Sequence, residues 1–316
     1  MTQALHRYGR DLLLQQQSET GRARLRSCAG GPASAWLTAM PSSHWTTIAP
    51  TLFFVALRLR LGLNLPEIQR NPICACGLPL NLAGHHAQRC ATGRGIWWRH
   101  EQVKDAFCNI LSGVRHTYVS RERTFAQLGL STPTRLVEEG QKRPDLLSGM
   151  PSGESYLGDV SVTHPMSMEA ARLRRMSNYA GAAARDIEMV KDRKYKAICK
   201  EMGLEFVPLV FETYGRPGKK TVEFLSAVAN HAASRVRGGE DFAAVQGRIM
   251  QQYFKILSCT LQRFVAANVL SSIHSRKGRR GPFQVEPLLA RDMAAFSVPG
   301  QGVLAESEGR SEIKKE

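Results

Sequence analysis

Long apolar runs are missing from this chain. Nothing in its 316 residues approaches the ~20 consecutive apolar positions of a membrane helix. The best candidate, "TLFFVALRLRLGL", is interrupted by Arg58 and Arg60 and reads as an amphipathic helix. The opening "MTQALHRYGRDLLLQQQSET" has no apolar segment of the kind a secretory signal needs. Acidic residues are scarce as well, 27 against 43 Lys and Arg, which leaves a formal charge of +16 and a pI near 9.9. Such a field favours a polyanionic partner, nucleic acid first and an acidic membrane surface second. The seven cysteines are an odd number, and Cys74, Cys76 and Cys90 cluster. That pattern speaks against a disulfide framework and for metal ligation in a reducing compartment. An intracellular protein with no membrane partner is the expectation.

Residues 1–45 mix charge with Ser, Gly and Gln and read as a short helix followed by a poorly ordered linker. A helical segment follows over 46–72, its main helix at Ser43–Leu63, until "NLPEIQRNP" breaks it. The Cys/His stretch occupies 73–98. Between 99 and 216 the spacing predicts a helix with Val103, Phe107, Ile110 and Leu111 on one face, then strands at "HTYVSRERTF", "RPDLL" and "SYLGDVSVT". One long helix should run from about Met168 to Met202, closed by Gly203, before a last strand at "EFVPLVFETYG". Pro208 argues mildly against a central position for that strand. Helices at 219–236 and 241–273 read as a helical C-terminal layer (217–274), and 275–316 as a disordered tail. No internal repeat is present. The fold class expected is α/β, with an αβββαβ core.

In "CACGLPLNLAGHHAQRC", Cys74 and Cys76 form a tight pair, turn residues follow, and Cys90 closes the stretch four positions after His86. Structural zinc takes four Cys/His ligands in a tetrahedron, and this spacing supplies them. His86 is the favoured fourth ligand and His85 the alternative.

The second motif is acidic. Pro144 fixes the backbone before Asp145, a Gly/Pro/Ser turn follows, and Asp159 lies in the next strand with thirteen residues between the two acids. Alternation places Asp159 with Leu157, Ser161 and Thr163, opposite Tyr156, Gly158, Val160 and Val162. Carboxylates converging from adjacent strands can hold a divalent cation for phosphodiester hydrolysis, a reaction extremely slow without help. In the long helix, Lys191 and Lys194 recur at spacings of three and four with Ala184, Ile187 and Ile198, and Tyr195 lies beside them. Such a lysine could steady the attacking water or the phosphorane charge.

"RPD", thirteen residues and "D", within an αβββαβ order, resemble the PD-(D/E)xK nuclease superfamily. Together with "CAC…GHHAQRC", "WWRH" at Trp97–His100 and "KDRKY", they make residues 45–275 similar to the C-terminal region of non-LTR retrotransposon proteins. There a Cys/His zinc knuckle precedes a restriction-enzyme-like endonuclease. The resemblance implies structural zinc on Cys74, Cys76, His86 and Cys90, and catalytic Mg²⁺ or Mn²⁺ on Asp145 and Asp159. It implies a lysine/tyrosine segment at Lys191, Lys194 and Tyr195. Arg99 and His100 match the pair that opens the nuclease domain, and with Arg143 they are the expected DNA contacts. Glu122 is either a further metal or water ligand or a surface charge. One departure stands out: the superfamily lysine two residues after the second acid is Ser161 here.

The polymerase "YxDD" signature does not occur. The implied protein is thus a fragment, a degenerate copy or a host-retained nuclease module, acting on DNA, and on RNA as a further candidate, in the nucleus. A reverse transcriptase working in trans is the partner this leaves. Two readings of another class remain open: a nucleic-acid-binding module that does not cleave, and a structural protein whose zinc site only supports folding.

Overall fold

The computed structural model describes residues 2–121, 124, 127, 144–236, 239 and 241–274. Glu122, Arg143 and the tail over 275–316 lie outside the described residues. The helices before the sheet are α1 Thr2–Gln15, α2 Glu19–Cys28, α3 Gly31–Ser34, α4 Pro50–Leu61, α5 Pro66–Arg70, α6 His85–Arg89 and α7 Gly95–Ser112. Three strands follow, β1 Tyr118–Arg121, β2 Leu146–Gly149 and β3 Ser155–Thr163. After α8 Ala170–Asn178 and α9 Ala182–Glu201 come β4 Glu205–Glu212, α10 Lys219–Ala233 and α11 Phe242–His274. The protein is mixed α/β.

The sheet is ordered β1-β2-β3-β4, antiparallel except for the parallel β3–β4 pair. A parallel pair needs a crossover, and α8 and α9 supply it. Strand β4 lies at an edge, which is where Pro208 is tolerated, having no amide proton to give a ladder. Alternation in β3 sorts its side chains: Tyr156, Val160 and Val162 join the main core, while Leu157 packs with Cys199, Leu204 and Phe206 beneath α9. Gly158 stands between Leu146 and Leu209; a β-carbon there would come within 2.8 Å of the Leu146 side chain. Only glycine lets the three strands close at this point.

The long helix expected from Met168 to Met202 is two helices. Gly181, at φ +75°, starts α9 from the left-handed region, so the "NYAG" segment turns the chain instead of continuing the helix. The far end conforms: Gly203 sits at φ +69°, its amide donates to Lys200 O, and the Leu204 amide donates back to Cys199 O. That is the paired hydrogen bonding of a Schellman stop. The helix expected from Ser43 begins at Pro50, whose ring is suited to a first helical position.

A larger correction concerns the N-terminal end of the described chain. Residues 2–45 are not a short helix and a linker but three helices and a 3-10 turn, with Ala23, Ser27, Cys28, Ala33 and Trp36 buried. Mostly small side chains make that face, so a search for large apolar residues passes over it. Arg26 Nε, donating to Ser177 O at 2.6 Å, and Arg216, donating to Arg26 O and Ala29 O, pin α2 to the rest. Helix α11 is built into the core. It packs against α7, α10 and α4, and residues from Leu257 to Ile273 are nearly all buried. By length and composition it could cross a membrane, but 89% of its apolar window is covered by the rest of the fold. One continuous core joins Trp36, Val55, Ala87, Phe107, Val160 and Leu261, so the expected segments share an interior.

Candidate functional site

The Cys/His stretch folds as a compact loop. Gly77, at φ +90°, tightens the turn after the first cysteine pair, and Gly84, at φ +71°, starts α6. Asn81 Oδ1 accepts the His86 amide at 3.1 Å. Cys74 and Cys90 bring their sulfurs to 3.6 Å, and Cys76 Sγ lies 3.2 Å from His86 Nε2. All four ligand atoms fall within 4.8 Å of one another. A zinc–sulfur bond of about 2.3 Å puts tetrahedral sulfurs about 3.8 Å apart, so the set fits zinc with little adjustment. Among the described residues no other group of three or more His, Cys, Asp and Glu meets this way. His85 points elsewhere, with Nδ1 3.4 Å from the Tyr214 hydroxyl, and burial pushes its pKa down to about 4. Of the two histidines, His86 is therefore the one placed to complete a four-ligand set.

The loop is tied into the core. The Ala75 amide donates to Ser272 O at 3.1 Å, and Asn268 Nδ2 to Ala87 O at 3.0 Å, both from α11. Arg99 Nη1 donates to Gln88 O at 3.1 Å. Arg99 was expected to touch DNA but is only 2% exposed, and burial pulls its pKa down to about 10. Its charge is spent holding α6 to α7 and lining a pocket wall.

That pocket, about 410 Å³, lies where β2 and β3 part. The β2–β3 ladder ends at the Leu146–Gly158 pair, which places Asp145 and Asp159 opposite each other one step beyond it. With no ladder partner there, the Val160 amide donates to Asp145 Oδ2 at 2.7 Å. Asp159 meets Lys191 of α9 in an ion pair, Nζ to Oδ2 2.6 Å. Burial raises the Asp159 carboxyl above the usual carboxylate range; the Lys191 ammonium opposes this, and Asp145 adds to it. His100 Nε2 lies 3.0 Å from Asp145 Oδ2, and Nδ1 3.1 Å from Glu101 Oε1. Burial opposes charge on this ring, but the two carboxylates outweigh it and raise its pKa, so both nitrogens can donate.

No protein-family model matches the chain, and no curated protein matches it.

Asp145, Asp159, Lys191, His100 and Arg99 all line the one pocket, with Ser161 beside them. Lys194 does not. It is exposed, with its ammonium 4.8 Å from the centre of the Tyr195 ring, and Tyr195 itself packs on Phe206. The phase of α9 separates the two lysines: Ile187 and Lys191, one turn apart, face the pocket, and Lys194 turns away. Spacing alone missed Glu101 and Lys104. Lys104 falls in the apolar stripe with Val103 and Phe107, and a lysine in such a stripe is the signal that could have found the pair.

Proposed function

We propose that the chain is a metal-dependent DNA endonuclease of retrotransposon origin, with a restriction-endonuclease-like core and a structural zinc knuckle. The observation that carries this reading is the convergence of Asp145 and Asp159 across the β2–β3 opening with Lys191 from the crossover helix. Mg²⁺ and Mn²⁺ prefer oxygen, and Mg²⁺ usually takes one or two carboxylates, leaving its remaining positions to water and phosphate. Two aspartates in an open pocket fit that need. The bound cation would acidify a water and neutralise charge on the leaving oxygen.

The protein groups have separable roles. Asp145 and Asp159 would hold the cation. Lys191 would hydrogen-bond the attacking water or a phosphate oxygen, supplying from α9 the charge that Ser161 cannot. Arg99 and His100 make the wall around them. In the knuckle, four protein ligands leave a zinc ion no open position, which suits a structural role. Exposed basic side chains would hold the DNA backbone without reading its sequence. With a retrotransposon origin, the proposal extends to a nuclear location and to a reverse transcriptase acting in trans.

One observation favours a second reading, a DNA-binding module that does not cleave. Each acid already has a protein cation beside it, Lys191 on Asp159 and His100 on Asp145. Supercoiled plasmid separates the two. Zinc-loaded protein with Mg²⁺ or Mn²⁺ should give nicked or linear product that EDTA suppresses. Salt-dependent binding with no product in either metal would select the non-cleaving module.

A further inference from the structure

Both donors that reach Asp145 meet the same oxygen. The Val160 amide at 2.7 Å and His100 Nε2 at 3.0 Å converge on Oδ2. Among the described residues no donor reaches Oδ1. Two directed contacts on one oxygen stop the carboxylate from rotating, and they leave its other oxygen for the pocket.

His100 is held in turn. Glu101 Oε1 lies 3.1 Å from Nδ1, and Lys104 Nζ lies 2.8 Å from both Glu101 oxygens. Lys104 is 1% exposed, so its ammonium cannot turn to solvent and Glu101 is fixed from behind. All three sit within one turn of α7, whose other end is anchored in the core by Phe107 against Phe211. The row Lys104–Glu101–His100–Asp145 runs from the interior to the pocket.

We propose that His100 is the positioning residue of the metal site: oriented by Glu101 and Lys104, it locks Asp145 so that Oδ1 alone is offered to a divalent cation. This rests on the nuclease reading above. In this role His100 acts on the cation through Asp145. Partners that orient a metal ligand this way are commonly worth about 10–100-fold in metal affinity. A ring that merely packed α7 against the sheet would leave that affinity alone.

The test is a Mn²⁺ titration of the zinc-loaded full chain, with free Mn²⁺ read by electron paramagnetic resonance and plasmid cleavage followed in parallel. His100→Ala should weaken Mn²⁺ binding about tenfold or more, whereas His100→Gln, which keeps a donor near the Nε2 position, should recover most of the loss. Glu101→Gln keeps the packing and should fall between them, which covers a His100→Ala that does not fold. Wild-type affinity in folded His100→Ala would overturn the proposal. Equal losses in the Ala and Gln variants would overturn it too, because the donor would then be irrelevant. Wild type that binds Mn²⁺ through the two acids but leaves plasmid intact would sink the nuclease reading and leave the His100 comparison decisive. Mn²⁺ bound equally well by Asp145→Ala/Asp159→Ala would overturn both.

Discussion

The knuckle and the acidic pocket are both sets of metal-type donors, built in opposite ways. The knuckle draws soft ligands from a single loop, Cys74 to Cys90, and closes them on one another. The pocket draws hard oxygens and cations from α7, the start of β2, β3 and α9, and stays open. A closed soft set stabilises; an open hard set leaves room for water and a substrate. The two are not independent, because Arg99 donates to Gln88 in the knuckle helix and also lines the pocket. The loop thus braces Arg99, a side chain of the pocket wall, from behind.

Zinc removal should have the largest effect. Apparent zinc-binding energies in small knuckles are on the order of 10 kcal/mol, and each kcal/mol moves the melting temperature of a chain of this size by about 2–4 °C. Chelation or Cys90→Ser should lower the melting temperature by more than about 10 °C, followed by circular dichroism. An unchanged melt would mean that the loop carries no metal, and the contrast between the two sites would disappear.

Next come the two lysines, which sharpen the contrast within the pocket. Lys191→Ala should slow single-turnover plasmid cleavage about 10²-fold, the usual scale for losing one charge-stabilising donor. Lys194→Ala should stay within about threefold, since an exposed lysine over a tyrosine ring makes only a weak cation–π contact. Equal losses would place Lys194 back among the reacting groups.

The smallest effect tests the seam between knuckle and sheet. His164 donates or accepts through Nδ1 to Thr213 Oγ1 at 2.7 Å, with its ring 5.4 Å from His85. Burial drives the pKa of His164 well below 6.5, and that of His85 to about 4. The unfolded chain therefore binds protons that the folded chain refuses. The contribution of these two rings is complete above pH 6.5 and declines as the pH falls toward 4. Melting followed over that range at saturating zinc should show the decline, shallower in His164→Gln. Identical slopes would mean His164 is not buried neutral.

How much of this was readable beforehand follows from the same contrast. The knuckle is local, so the spacing of Cys74, Cys76, His86 and Cys90 was enough; only the choice of His86 over His85 needed Tyr214, 129 residues away from His85. Asp145 and Asp159 were readable because antiparallel register is simple arithmetic across a turn. Lys191 against Lys194 was not, since helix phase relative to a sheet depends on where α9 starts, and Gly181 sets that start. Arg99 reads as a DNA contact from sequence because nothing in its neighbours announces that α6 will cover it. The N-terminal helices were missed for a similar reason: Ala23, Ser27 and Cys28 bury well but carry little hydrophobic signal. Residue spacing reports local geometry; the layer that closes over it has to be seen.

The most direct measurement is plasmid nicking by zinc-loaded wild type beside Asp145→Ala/Asp159→Ala, in Mg²⁺ and in Mn²⁺, with DNA binding measured on the same samples. Cleavage that needs the cation and vanishes in the double variant, while DNA binding persists, is the expected result. Folded wild type that binds DNA and cuts in neither metal would contradict it.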